Sequence, residues 1–170
     1  MTKVRSKIKI VAMIALLGFI TTIPGMATAS QSQFKDSPEI TVAVNGELVS
    51  FPDQPPVVDT QNCRTLVPVR FPAETLGADV DWHQATQEVT IDQMASEYLP
   101  EAHLVLKLGS PLLMVNGKQE RMDTIPIVKN QRTLVPIRFI SEYLGAEVKW
   151  WQDSKTVHVF TKGQSEEEQQ

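Results

Sequence analysis

Asn62-Cys63-Arg64-Thr65-Leu66-Val67-Pro68-Val69-Arg70-Phe71 and Asn130-Gln131-Arg132-Thr133-Leu134-Val135-Pro136-Ile137-Arg138-Phe139 are two versions of one decapeptide. Each is preceded by Val-Asn-Gly, at Val44-Asn45-Gly46 and Val115-Asn116-Gly117. Each is followed by Glu-x-Leu-Gly-Ala-x-Val-x-Trp, at Glu74 to Trp82 and Glu142 to Trp150. From Arg64 onward the offset between the copies is a constant 68 residues, whereas at the Asn-Gly it is 71. The first copy therefore has three extra residues, around Asp53 to Gln61. The chain is read as two tandem repeats, about 40–92 and 104–161.

Local chemistry predicts the same elements in both copies. Asn-Gly is the favoured two-residue turn of a β-hairpin because both residues tolerate positive φ, so each copy opens with a hairpin. Pro55 to Val58 and Ile125 to Val128 read as extended segments in which Pro permits only an edge or a strand start. Ile137, Ile140 and Leu144 then fall at i, i+3 and i+7, one stripe of a helix. Pro136 suits its first position, and Gly145 suits the left-handed residue after its end. Pro68 and Gly77 frame the first helix. Pro72 requires that helix to be shorter, or to start near Phe71 with Pro72 in its first turn. After each Gly the period changes to two, so Val80 and Trp82, like Val148 and Trp150, point to one buried face. Trp82 and Trp150 are accordingly expected in the core. A polar loop and a closing strand, Val89 to Ile91 or Val157 to Val159, complete each copy. One or two helical turns are expected at Gln93 to Tyr98 and a further strand at Leu104 to Leu108. Strands outnumber helices and connections are short. The fold class is therefore α+β, an antiparallel β-sheet packed on short helices.

The N-terminus speaks to compartment. Lys3, Arg5, Lys7 and Lys9 precede an apolar run to Ile20, a Pro24-Gly25 break and a small-x-small site at Ala27-Thr28-Ala29. These are the three parts of a secretory signal over residues 1–29, and the run is too short to span a bilayer. Its removal leaves 141 residues with 12 basic and 20 acidic side chains, a charge of −8. Such a charge argues against nucleic acid as a partner. A polar linker is expected over 30–39, the folded domain over 40–162, and a disordered acidic tail over 163–170.

Reactive constellations are weak. The single Cys63 excludes an internal disulfide. His83, His103 and His158 have no spacing suited to a metal, so no bound copper is expected, and extracellular metal binding is the weakest of the alternatives. No nucleophile motif is present. Asp79/Asp81 and Glu97/Glu101 are the acidic pairs that a small secreted hydrolase could use, though alternating Asp also describes a solvated strand face. Arg70 and Arg138 each lie four residues before a Glu, the spacing of a helix ion pair, and are also suited to a carboxylate or phosphate. Trp151 follows the buried strand position and should face outward, where it could stack on a sugar or anchor an interface. Trp151, Arg70 and Arg138 are the candidate interaction residues; no catalytic, cofactor or metal residues are assigned.

Together the Val-Asn-Gly, Asn-x-Arg-Thr-Leu-Val-Pro-(Val/Ile)-Arg-Phe and Glu-x-Leu-Gly-Ala-x-Val-x-Trp motifs resemble the copper amine oxidase N-terminal domain-like, or stalk domain, family, over about Ile40 to Thr161. The resemblance implies an antiparallel sheet wrapped around a helix. It also implies an exported protein of the Gram-positive surface, alone or beside other surface modules. It does not carry copper or amine oxidation with it, because in the enzyme that names the family those belong to another domain. Here Tyr98 and Tyr143 lack the quinone-forming context, and there is no His-x-His. The expectation is a secreted, non-catalytic interaction or scaffold domain without cofactor. Its partners would be a cell-wall or surface protein or glycan, with self-association possible.

Overall fold

The computed structural model describes residues 32–162; the secretory signal expected over 1–29 and the disordered tail expected over 163–170 lie outside the described residues. The strands are β1 (Phe34–Asp36), β2 (Thr41–Val44), β3 (Glu47–Leu48), β4 (Val57–Asp59), β5 (Arg64–Pro68), β6 (Asp79–His83) and β7 (Glu88–Gln93) in the first half. The second half has β8 (Ala102–Lys107), β9 (Leu112–Val115), β10 (Lys118–Arg121), β11 (Ile127–Lys129), β12 (Arg132–Pro136), β13 (Ala146–Trp151) and β14 (Thr156–Thr161). Helix α1 (Arg70–Thr75) follows β5, and α2 (Ile137–Tyr143) follows β12. The chain is thus mainly antiparallel β with two short helices.

The turns form as their residues dictate. Asn45 and Gly46 have φ of 50° and 83°, and Asn116 and Gly117 have 50° and 79°, so both opening hairpins close through the expected two-residue turn. Each Asn also clamps a neighbouring strand. Asn45 Oδ1 accepts from the Thr161 N–H at 2.9 Å, and Asn116 Oδ1 accepts from the His103 N–H at 2.7 Å. Pro136 immediately precedes α2 with an extended ψ of 110°, one residue earlier than expected. Pro72 is the third residue of α1, inside the first turn, where its missing N–H has no helical acceptor to lose. The stripe Ile137, Ile140 and Leu144 is buried.

Three sheets replace the single sheet expected. The central one has the order β1-β4-β5-β12-β11. At its middle β5 and β12 pair antiparallel, Val67 opposite Val135, with Leu66 opposite Pro136 and Pro68 opposite Leu134. Equivalent residues of the two decapeptides thus meet across one point. A second sheet has the order β10-β9-β8-β7-β6, and a third β13-β14-β2-β3. Each flanking sheet joins the opening hairpin of one half to the closing hairpin of the other. In the second, β8 is interposed; in the third, β14 and β2 pair directly and in parallel. Direct contact without β8 brings the strands together in that direction.

The central sheet separates two apolar clusters. Val67 and Val135 point into the main core, with Ile91, Leu104, Leu113 and Leu144. Each such side chain contributes about 1.5–3 kcal/mol when fully buried. On the other face Val57, Leu66 and Leu134 meet Phe34 and Ile127, one side chain from each strand. The sheet curls until its edges approach: Lys129 Nζ on β11 lies 2.7 Å from Asp36 Oδ2 on β1. Gln54, itself buried, ties the same corner, donating to Asp36 Oδ1 at 3.0 Å and accepting from Asn130 Nδ2 at 2.8 Å. The hydrogen bonds from Lys129 and Gln54 hold the Asp36 carboxyl below its ordinary pKa. Phe34 explains why a strand forms inside the segment read as a polar linker: it fills the small cluster.

Asp59 occupies another corner of that face and is fully buried. Burial alone raises its pKa. Hydrogen bonds from Thr124 Oγ1 at 2.6 Å, Asn62 Nδ2 at 2.7 Å and Gln33 Nε2 at 3.1 Å outweigh burial and hold it at about 2.

No helix forms at Gln93 to Tyr98. Gln93 ends β7, buried, and its amide donates to Pro100 O at 2.8 Å and Leu144 O at 3.0 Å. The following loop is braced by Ser96 N–H to Leu99 O at 2.9 Å. The expected strand at Leu104 to Leu108 is β8, two residues earlier at its start.

Candidate functional site: two matched grooves

Two grooves of about 530 and 420 Å³ lie where the central sheet meets the flanking sheets. Their linings correspond at most positions, with Phe71, Asp81 and Gln84 peculiar to the first and Ile40 to the second. The first takes Arg70, Val80, Trp82 and Val89 from the first half, and Gln131, Arg132 and Thr133 from the second. The second takes Arg138, Val148, Trp150 and Val157 from the second half, and Cys63, Arg64 and Thr65 from the first. Neither groove could be assembled by one half alone.

Trp82 and Trp150 are the main correction to the sequence reading. They lie 39% and 40% exposed instead of in the core. Alternation does place them on the same strand face as the buried Val80 and half-buried Val148. However, β6 and β13 are edge strands, and toward their ends they run past the core. The indoles are held in place: Trp82 Nε1 donates to Gln84 Oε1 at 3.4 Å, and Trp150 Nε1 donates to Gln152 Oε1 at 2.8 Å. A repeated Trp-x-Gln was the available signal. Half-exposed, oriented indoles offer a large apolar face at little entropic cost.

The arginines at the rims differ. Arg64 is bonded to Asp123, and Arg132 to Asp53. Each pair joins the two halves, and no local sequence pattern marks either acid. Arg70 pairs with Glu74 at 3.6 Å, the expected i, i+4 contact, and donates to Val80 O at 3.2 Å. Arg138 is exposed and has no carboxylate within ion-pair distance among the described residues, so its expected Glu142 contact is not made. Of the three candidate interaction residues, Arg70 and Arg138 therefore sit in separate grooves. Trp151 is 45% exposed and stands on the opposite face of β13 from Trp150. Its ring lies 3.7 Å from that of His158, which in turn stacks on Phe160.

Among the described residues, no two carboxylates line the same groove of this pair. Asp81 is the one acid lining the Trp82 groove, and no acid lines the Trp150 groove. Asp79 and Glu101 approach Asp92 in a shallow depression open to solvent. The histidines also lie apart: His83 bonds Thr90, His103 bonds Asp92, and His158 is stacked. Among the described residues no group of three or more His, Cys, Asp or Glu could hold a metal ion. No helix of the described residues is long and apolar enough to cross a membrane.

A protein of Brevibacillus choshinensis named "Protease inhibitor" is 27% identical over 157 residues, 92% of this chain and 43% of that protein. The chain thus spans less than half the length of that relative. The model of the copper amine oxidase N-terminal domain matches residues 43–159, from β2 through β14 and across both grooves, and the chain belongs to that family.

Proposed function

We propose that the chain is an exported, non-catalytic interaction domain of the cell surface. It is built from two copies of one β-rich unit, and a surface protein or wall glycan docks in the paired grooves. The observation that carries this reading is the recurrence of an oriented, half-exposed Trp beside an Arg at the same place in both. Family membership supports the non-catalytic role, since the matching domain is the N-terminal and not the catalytic one. Capture of purified cell-wall and surface-protein fractions by the immobilised domain tests it. Wild type retains a component that the Trp82→Ala/Trp150→Ala variant releases; equal retention by both, or none by either, refutes the reading.

A second reading, protease inhibition, is favoured by the relative's printed name and by the loop after β7. There Met94 and Tyr98 are 88% and 54% exposed on a backbone braced at its base by Gln93. A rigid loop with a protruding apolar side chain loses little entropy on entering a cleft. Titrating serine and metalloproteases with the domain tests this. Inhibition that Met94→Ala abolishes supports it, and full protease activity at equimolar and higher domain concentrations removes it.

A further inference from the structure

The two grooves are alike in plan and unlike in charge. In the Trp82 groove Arg70 is already engaged by a main-chain carbonyl, Val80 O, and by the Glu74 carboxylate, and Asp81 adds a negative charge to the lining. In the Trp150 groove Arg64 is neutralised by Asp123, the lining holds no acid, and Arg138 has no carboxylate within reach among the described residues. This leaves one uncompensated guanidinium at the rim of a slot lined by Trp150, Val148 and Val157. An arginine in such a setting favours a carboxylate held through two parallel hydrogen bonds. The same slot runs along β13, the outermost strand of its sheet. One row of that strand's N–H and C=O groups is therefore paired with no strand among the described residues, and an extended chain can add to it. The internal contacts of Arg70 display the chemistry that this position accepts: a strand carbonyl and a carboxylate together.

We infer that the Trp150 groove receives an extended peptide segment in which an aliphatic residue is followed two positions later by an acidic one, so that both side chains face the groove. The acidic side chain meets Arg138, and the aliphatic one lies against Trp150 and Val157. The Trp82 groove, whose arginine is internally satisfied, does not select for the acid. This deepens the docking reading above and rests on it.

The test uses fluorescence anisotropy with a fluorescein-labelled Thr-Val-Leu-Glu-Val-Thr amide and the same peptide with glutamine in place of glutamate. Circular dichroism confirms that each variant is folded. The wild-type domain is expected to bind the glutamate peptide and to bind the glutamine peptide about fivefold to tenfold more weakly. Arg138→Gln is expected to erase that difference, Arg70→Gln to leave the preference for glutamate in place, and Trp150→Ala to weaken both peptides. Equal binding of the two peptides, equal effects of Arg70→Gln and Arg138→Gln, or no binding at about 1 mM peptide overturns the inference. If the peptide fails while capture of surface components still depends on Trp150, the ligand class is wrong and the docking reading stands. If capture is also indifferent to Trp150, both fall.

Discussion

The two helix ends look interchangeable in sequence and are not so in space. Leu76-Gly77-Ala78 and Leu144-Gly145-Ala146 both turn the chain through a glycine at positive φ, 83° and 86°. Around Gly77 none of the described residues approaches the place where a Cβ would stand, whereas at Gly145 a Cβ would collide with Pro100 Cδ. The difference comes from the loop between the halves, which has no partner in the first copy and lays Leu99 and Pro100 against the second helix end. The repeated motif sets the local conformation, and the surroundings set what each position tolerates. The same lesson applies to the arginines: Arg70 finds partners, and Arg138 does not.

The largest effect should come from breaking the glycine comparison. Gly145→Ala combines left-handed strain with a steric clash and is expected to cost about 3 kcal/mol. Gly77→Ala should cost only the strain, about 1 kcal/mol. Urea denaturation of the two variants measures this, and equal losses would mean that Pro100 does not pack where it is placed.

Next is the corner held by Asp59. The residue opposite Arg64 on β4 is Asp59, and the residue opposite Arg132 on β11 is Lys129, so equivalent places carry opposite charges. The Asp59 pKa falls from 3.8 to about 2 on folding. Its ionisation therefore adds stability that is fully present above about pH 4 and is lost as pH drops through 2, roughly 2 kcal/mol in all. Asp59→Asn should lose about that much at neutral pH and flatten the stability profile between pH 4 and 2. Lys129→Met, which removes an ion pair that is about a third exposed on the lysine side, should lose less, under about 1 kcal/mol. Thermal melts across pH check both. An unchanged acid limb in Asp59→Asn would show that other carboxylates govern it.

The smallest effect sharpens the contrast at the rims. Arg70→Gln removes an exposed ion pair and a hydrogen bond and should cost a few tenths of a kcal/mol. Arg138→Gln should leave stability unchanged. A loss at Arg138 larger than at Arg70 would reveal a structural partner for it and weaken its availability to ligand.

Much of the fold was legible because it is local. Asn-Gly turns, the Ile137-Ile140-Leu144 stripe and the glycine after each helix need only neighbouring residues to act. Pairing between halves was not legible, because the hydrophobic pattern of β2 and β14 says which face is buried and not which strand lies alongside. A Phe34 in a polar stretch gives no sign that it plugs a cluster made by four distant strands. Gln93 was read as a helix start because its buried bonds to Pro100 and Leu144 lie outside any local pattern. At the grooves, Arg70 and Arg138 were identified by their repetition. Trp82 and Trp150 were misplaced because period two reports the face of a strand and is silent on how far the strand overruns its core.

The three indole N–H signals of the chain provide the most direct test of the docking surface. In a titration of the 15N-labelled domain with the surface component that it captures, the Trp82 and Trp150 signals should shift or broaden while Trp151, whose ring lies tilted against His158, stays in place. Binding that moves Trp151 alone, or that moves none of the three, would contradict the assignment of the paired grooves as the place where this domain meets its partner.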